Sequence, residues 1–242
     1  MILKIFNLVM FVVMVVMNYL ANALPINEKT TGQLSELYPN LFVPAGITFS
    51  IWGVIYLLLL VFLALQFRES SKESILQIGW AFGISCALNV LWIFAWHFEY
   101  VAISLLIMIG LLLVLIIIAL KLKPNPMSLA KATFGIYLGW ISIATIANVI
   151  ALLVSINWTG WGFSEQTWTI VMISTGAIIA SLAVYRYDNP FIGIAVLWAF
   201  FGIITRQQAL NPSIVVTAMI GMGIVGASTI FMFLRKSIFA KE

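Results

Sequence analysis

Apolar residues run along this chain in long unbroken blocks, with the polar residues gathered between them. Eight blocks stand out, at roughly 4–24, 44–67, 75–96, 100–122, 132–156, 166–185, 190–209 and 212–234. Each approaches the roughly 20 residues that an α-helix needs to cross a bilayer core. The blocks are continuous rather than alternating, which predicts spanning helices and not barrel strands. Block seven is the weakest, because Arg206, Gln207 and Gln208 crowd its end. Block one has some features of a secretory signal: Lys4 precedes it, and Ala21-Asn22-Ala23 mimics a cleavage site. Its apolar run is longer than the usual h-region of about 7–15 residues. Asn7, Asn18 and Asn22 also share one helical face, and an amide stripe suits a helix packed against other helices. The block is therefore read as an uncleaved helix.

Composition agrees with the pattern. Hydrophobic residues make up 63% of the 242 positions and charged residues only 8%, against roughly 25% charged in soluble domains. Mean hydropathy is +1.13. The expected fold is an all-α integral membrane protein with about eight transmembrane helices. Charge then orients it. Lys4, Arg68, Lys72, Lys121, Lys123, Lys131, Arg186, Arg235, Lys236 and Lys241 fall on one side, and only Lys29 and Arg206 on the other. The positive-inside rule places the first side, and both termini, in the cytoplasm of a multi-pass cell-membrane protein. Basic residues confined to loops in this way do not suggest nucleic acid.

The chemistry on offer is narrow. Cys86 and His97 are the sole cysteine and histidine, which leaves no intrachain disulfide and no Cys- or His-rich metal cluster. No acidic residue or lysine sits in the middle of a block, where ion-coupled transporters usually place one. No Ser-His-Asp set and no phosphate-binding loop is present. No catalytic residue, metal or cofactor is assigned, and an enzyme is the least favoured class.

What the blocks carry instead is aromatic rings and amides. Trp52 and Tyr56 lie one turn apart on block two. Asn89, Trp92 and Trp96 share a face of block three, and Tyr137, Trp140, Ala144 and Asn148 share a face of block five. Aromatic belts and core packing would account for a lone tryptophan. Three co-facial stripes with mid-helix asparagines predict a cavity for a flat, largely apolar ligand. The loop at about 25–43 is the longest on its side. Residues 31–38 form either a short amphipathic lid over the bundle or a plain connector. Gly79 with Gly83, Gly135 with Gly139, and Gly223 with Ala227 are small-residue pairs that permit close helix approach. Arg206, near the lid side, is placed to pair with a ligand carboxylate; snorkelling to the interface is the other reading.

These stripes resemble the TspO/MBR (tryptophan-rich sensory protein / translocator protein) family. Pro44-Ala45-Gly46-Ile47-Thr48-Phe49 ahead of Trp52-Gly53-Val54-Ile55-Tyr56 is similar to that family's second-helix motif, with Ala45 in place of the second proline and one residue fewer before Trp52. Leu88-Asn89-Val90-Leu91-Trp92 matches its third helix, although Trp96-His97 stands where two Phe are usual. Tyr137-Leu138-Gly139-Trp140, Ala144 and Asn148 keep the spacing of its fifth, with Ile136 in place of the proline. The resemblance covers about residues 1–156. It implies a five-helix bundle there, a longer divergent branch, and three additional helices over 157–242. It further implies a receptor or sensor for porphyrin/tetrapyrrole or sterol-like molecules, with a homodimer as a partner assembly. By position the implied pocket residues are Trp52, Tyr56, Asn89, Trp92, Trp140, Ala144 and Asn148. A transport component, either a carrier or a permease subunit for hydrophobic molecules, is the alternative.

Overall fold

The computed structural model describes residues 2–24, 26–66 and 76–239. Among the described residues there is no strand. The helices are α1 (Ile2–Ala23), α2 (Thr31–Glu36), α3 (Ile51–Leu65), α4 (Ala81–His97), α5 (Val101–Leu122), α6 (Leu129–Ser155), α7 (Glu165–Arg186), α8 (Phe191–Gln207) and α9 (Pro212–Phe239). Six stretches are long and apolar enough to cross a membrane: Ile2–Ala23, Gly46–Leu65, Val101–Leu122, Leu129–Ser155, Glu165–Arg186 and Pro212–Arg235. The protein is thus an α-helical, multi-pass membrane protein. The expected count of eight divides into these six and two shorter apolar helices, α4 and α8, of 17 residues each. Seventeen residues rise only about 26 Å, short of a ~30 Å core. Block three is cut short because Gly79 takes φ +60° and turns the chain just before α4.

The helices pack as two connected groups. α1 packs on α4, α4 on α5 and α5 on α6, and α3 closes the first group against α6. α7, α8 and α9 pack on one another, and α8 lies along α6. Loop contacts fix which ends coincide. Gln66 Nε2 donates to the Lys4 carbonyl (3.4 Å) and Lys121 Nζ to the Ile78 carbonyl (3.5 Å). Asn189 Nδ2 donates to the Lys131 carbonyl (2.9 Å), and Arg235 approaches Asp188 at 4.0 Å. These contacts gather Lys4, Lys121, Lys131 and Arg235 at one end of the bundle. Lys29, paired with Glu99 at 2.7 Å, belongs to the opposite end. Arg68, Lys72 and Lys241 lie outside the described residues. Lys131 is buried in the first turn of α6, and its Nζ reaches the Lys123 carbonyl at 3.0 Å.

Glycines mark the tightest crossings. A Cβ on Gly83 would collide with the Phe6 ring of α1, and one on Gly139 with the Ile192 carbonyl of α8. Two small-residue expectations change. Gly79 sits in the turn, off α4, so the Gly79–Gly83 pair shares no helix face. Gly223 faces open space and supports no close approach.

Candidate ligand-binding cavity

The segment ahead of α3 sets the cavity wall. Gly46–Ser50 is 3-10 helical, and that winding has about 3.0 residues per turn. Phe49 and Trp52, three residues apart, therefore come to one side despite the residue missing between them. Trp52 stacks on Tyr56 (centroids 5.6 Å apart, planes at 22°) and meets Trp140 edge-on at 6.2 Å. Phe49 also meets Trp140 edge-on, at 5.9 Å. From α4, Trp92 stacks on Trp96 at 5.9 Å and 15°. Rings from α3, α4 and α6 thus converge, and edge-to-face and offset contacts of this kind are the favoured aromatic geometries.

Beside them lies a cavity of ≈ 780 Å³ bordered by Asn18, Phe49, Trp52, Tyr56, Trp92 and Arg206, among others. A narrower apolar slot of ≈ 80 Å³ adjoins it, walled by Trp92, Trp96, Trp140, Ala144, Ala147 and Asn148. Thr31 and Ser35 of α2 border both spaces. Residues 31–36 therefore form a helix over the cavity, as the lid reading expects. Thr30 and Gln33 cap it reciprocally, at 3.3 and 2.8 Å, and buried Leu34 anchors it. The lid is tied to the end of α4. Trp96 Nε1 donates to the Thr31 carbonyl (3.4 Å), and Asn27 Nδ2 to the His97 carbonyl (3.0 Å). Tyr38 packs on Trp96 at 5.7 Å. Its hydroxyl pKa is raised, by partial burial first and by the Glu99 carboxylate next, so at neutral pH it remains an O–H donor.

The predicted residues separate into two layers. Trp52, Tyr56, Trp92, Trp140, Ala144, Asn148 and Arg206 border the cavity or its slot. Asn89 and Tyr137 border neither; they stand behind the wall. Asn89 Oδ1 accepts from Asn18 Nδ2 (2.7 Å), and its Nδ2 donates to the Tyr137 hydroxyl (3.3 Å). Tyr137 in turn meets the edge of Trp52 at 6.0 Å. Asn148 accepts from Trp92 Nε1 (3.0 Å) and donates to Ser104 Oγ (3.1 Å), fixing the Trp92 ring. Two donors on the walls are buried and unmatched among the described residues: the Tyr56 hydroxyl and Trp140 Nε1. Buried polar atoms are nearly always hydrogen-bonded; these two lie inside the wall, closed off from both spaces.

Trp96, on the predicted stripe of block three, borders the slot; sequence reasoning did not place Phe49 or Asn18 in the site, although both border these spaces. The four-residue step from Trp92 carried the signal for Trp96. It also gave no hint of the clasp supplied by α8. Gln207 Nε2 donates to the Leu41 carbonyl and Trp198 Nε1 to the Thr48 carbonyl, both at 2.8 Å. The Ala45 amide donates to the Gly202 carbonyl at 3.0 Å. Gly202 leaves no room for a side chain against Thr48. Asn40, whose Oδ1 accepts from the Phe42 and Val43 amides at 3.1 and 3.0 Å, shapes the same turn.

Fold and cavity together define a polytopic helical membrane protein with an aromatic-walled chamber beneath a short lid. The family model described as TSPO-like protein matches residues 4–231, and the chain belongs to that family. The match extends past residue 156 through α7, α8 and most of α9. No curated protein and no solved structure matches the chain.

Proposed function

We propose that the protein is a membrane receptor for a planar, largely apolar ligand of the porphyrin/tetrapyrrole or sterol type, held in the chamber beneath α2. One observation carries this reading: aromatic side chains of α3 and α4 border a cavity of ≈ 780 Å³, and Trp140 of α6 walls the apolar slot of ≈ 80 Å³ that adjoins it. Ligand sites commonly span about 300–1,000 Å³ and are mostly apolar with a few placed polar groups. Arg206 and Glu36 border the same cavity on the lid side. The Arg206 guanidinium suits a carboxylate on the ligand's edge.

Titration with protoporphyrin IX, followed by quenching of tryptophan fluorescence, tests the reading. Saturable quenching is expected in the wild type, with roughly ten-fold weaker binding in Trp52→Phe and Trp140→Phe. Arg206→Gln is expected to weaken binding several-fold for the free diacid and not for its dimethyl ester. Wild-type protein that is not quenched, or variants that bind as tightly as wild type, would refute the chamber as the site. The chamber reaches the polar residues of the lid end, which also suits a carrier. Flux of the same porphyrin into liposomes separates the two, and the receptor reading expects binding without flux.

The reading extends to topology and assembly. Both termini lie in the cytoplasm of a cell-membrane protein, residues 1–156 form the ligand bundle, and 157–242 buttress it. Because α8 lies along α6, these helices occupy a face that a second protomer would otherwise hold. Light scattering of detergent-solubilised protein checks this. A monomer is expected, and a stable homodimer would overturn it.

A further inference from the structure

A second cavity, of ≈ 250 Å³, lies between the end of α6 and the start of α7, with Asn40 bordering both it and the slot. Its walls include Trp158, Phe163, Glu165, Trp168 and Met172. The loop that builds it is tightly coiled. Asn157, Gly160, Trp161 and Gly162 all take positive φ, at 53°, 67°, 50° and 83°. Two of these are not glycine, and such left-handed conformations cluster at functional sites. Trp168 Nε1 locks the loop by donating to the Gly160 carbonyl at 2.8 Å. The rings stand as walls rather than a stack. Trp158 and Trp168 have centroids 5.0 Å apart with planes at 57°, and Phe163 stands at 82° to Trp168 at 6.4 Å. Glu165 is exposed and forms no ion pair among the described residues.

We propose that this corner of two indoles and a phenyl ring, with a carboxylate at its rim, is a binding site for an alkylammonium cation of the choline type. Ring faces carry negative electrostatic potential and attract a cation within about 6 Å of their centroids. A quaternary ammonium is large and weakly hydrated, which fits an aromatic corner, and Glu165 supplies the opposite charge. Interfacial anchoring accounts for exposed Trp161, which is 76% exposed. It does not account for a cavity that combines three rings with a free carboxylate. The same cation is carried by free choline and by phosphocholine headgroups. The site is separate from the porphyrin reading and stands or falls without it.

The test uses full-length protein in a non-ionic maltoside detergent. It is titrated with choline and, separately, with a short-chain phosphocholine below its micelle concentration, and binding is followed by calorimetry. Saturable binding of choline supports a free solute. Binding of the phosphocholine alone supports a lipid headgroup. Glu165→Gln, a conservative change on an exposed side chain, is expected to weaken either by roughly three- to ten-fold, and Phe163→Leu by a similar factor. The neutral isostere 3,3-dimethylbutanol is expected not to bind. Three results would each overturn the proposal: no saturable binding of either probe, equal binding of the neutral isostere, or an unchanged Glu165→Gln variant.

Discussion

Gly139→Leu is expected to lower the melting temperature of the detergent-solubilised protein by roughly 5–10 °C. The estimate rests on about 1–3 kcal/mol for overpacking and about 2–4 °C per kcal/mol in a chain of this size. A Cβ at this position would run into the Ile192 carbonyl and lie 3.0 Å from Ala195 Cβ. Unlike a side chain, a backbone carbonyl cannot rotate aside, so the whole of α8 must move off α6. The clasp on residues 41–48 hangs from α8, so loss of porphyrin binding is expected to accompany the loss of stability. Gly223→Leu is the control: nothing lies within 4 Å of its Cβ position. Equal melting temperatures for the two variants would show that the α6–α8 crossing is looser than described.

Asn89→Leu is expected to destabilise by about 1–2 kcal/mol, read as a shift in thermal unfolding. This asparagine joins three helices, accepting from Asn18 on α1 and donating to Tyr137 on α6. Leucine fills the volume but removes the donor to Tyr137, while Asn18 Nδ2 keeps the Met14 carbonyl at 2.9 Å; a buried polar group left without a partner costs about 1–3 kcal/mol. Hydrogen bonds between membrane helices are often weaker than that limit, hence the lower figure. Because Tyr137 stands against the edge of Trp52, ligand affinity is expected to fall as well, although Asn89 does not border the chamber. Unchanged unfolding in Asn89→Leu would mean that the network contributes nothing to holding the bundle.

The helices and the inward faces of α3, α4 and α6 were legible because each follows from local periodicity. Trp52 with Tyr56 and Trp140 with Ala144 and Asn148 obey the three- and four-residue steps of a helix, and all of them border the cavity or its slot. The same periodicity cannot tell a wall from the layer behind it. Asn89 and Trp92 share a face, yet a helix turn of drift puts one at the chamber and the other against Asn18 and Tyr137. The shortness of α4 was hidden because a positive φ at Gly79 leaves no mark in hydropathy. The contacts of Trp198, Gly202 and Gln207 were hidden for a different reason. Their partners are carbonyls and amides of an irregular segment, which have no side-chain pattern to read.

That clasp has a consequence in time. Thr48 and Trp198 are 150 residues apart in the chain, and Leu41 and Gln207 are 166 apart. At translation speeds of about 5–20 residues per second, the segment ahead of α3 waits on the order of 10–30 s for its fasteners to leave the ribosome. During that interval α3 to α6 are being synthesised while the mouth is held by nothing downstream. The chamber is therefore finished last, and any apolar molecule in the membrane during synthesis meets an unlatched vestibule before the chamber is closed.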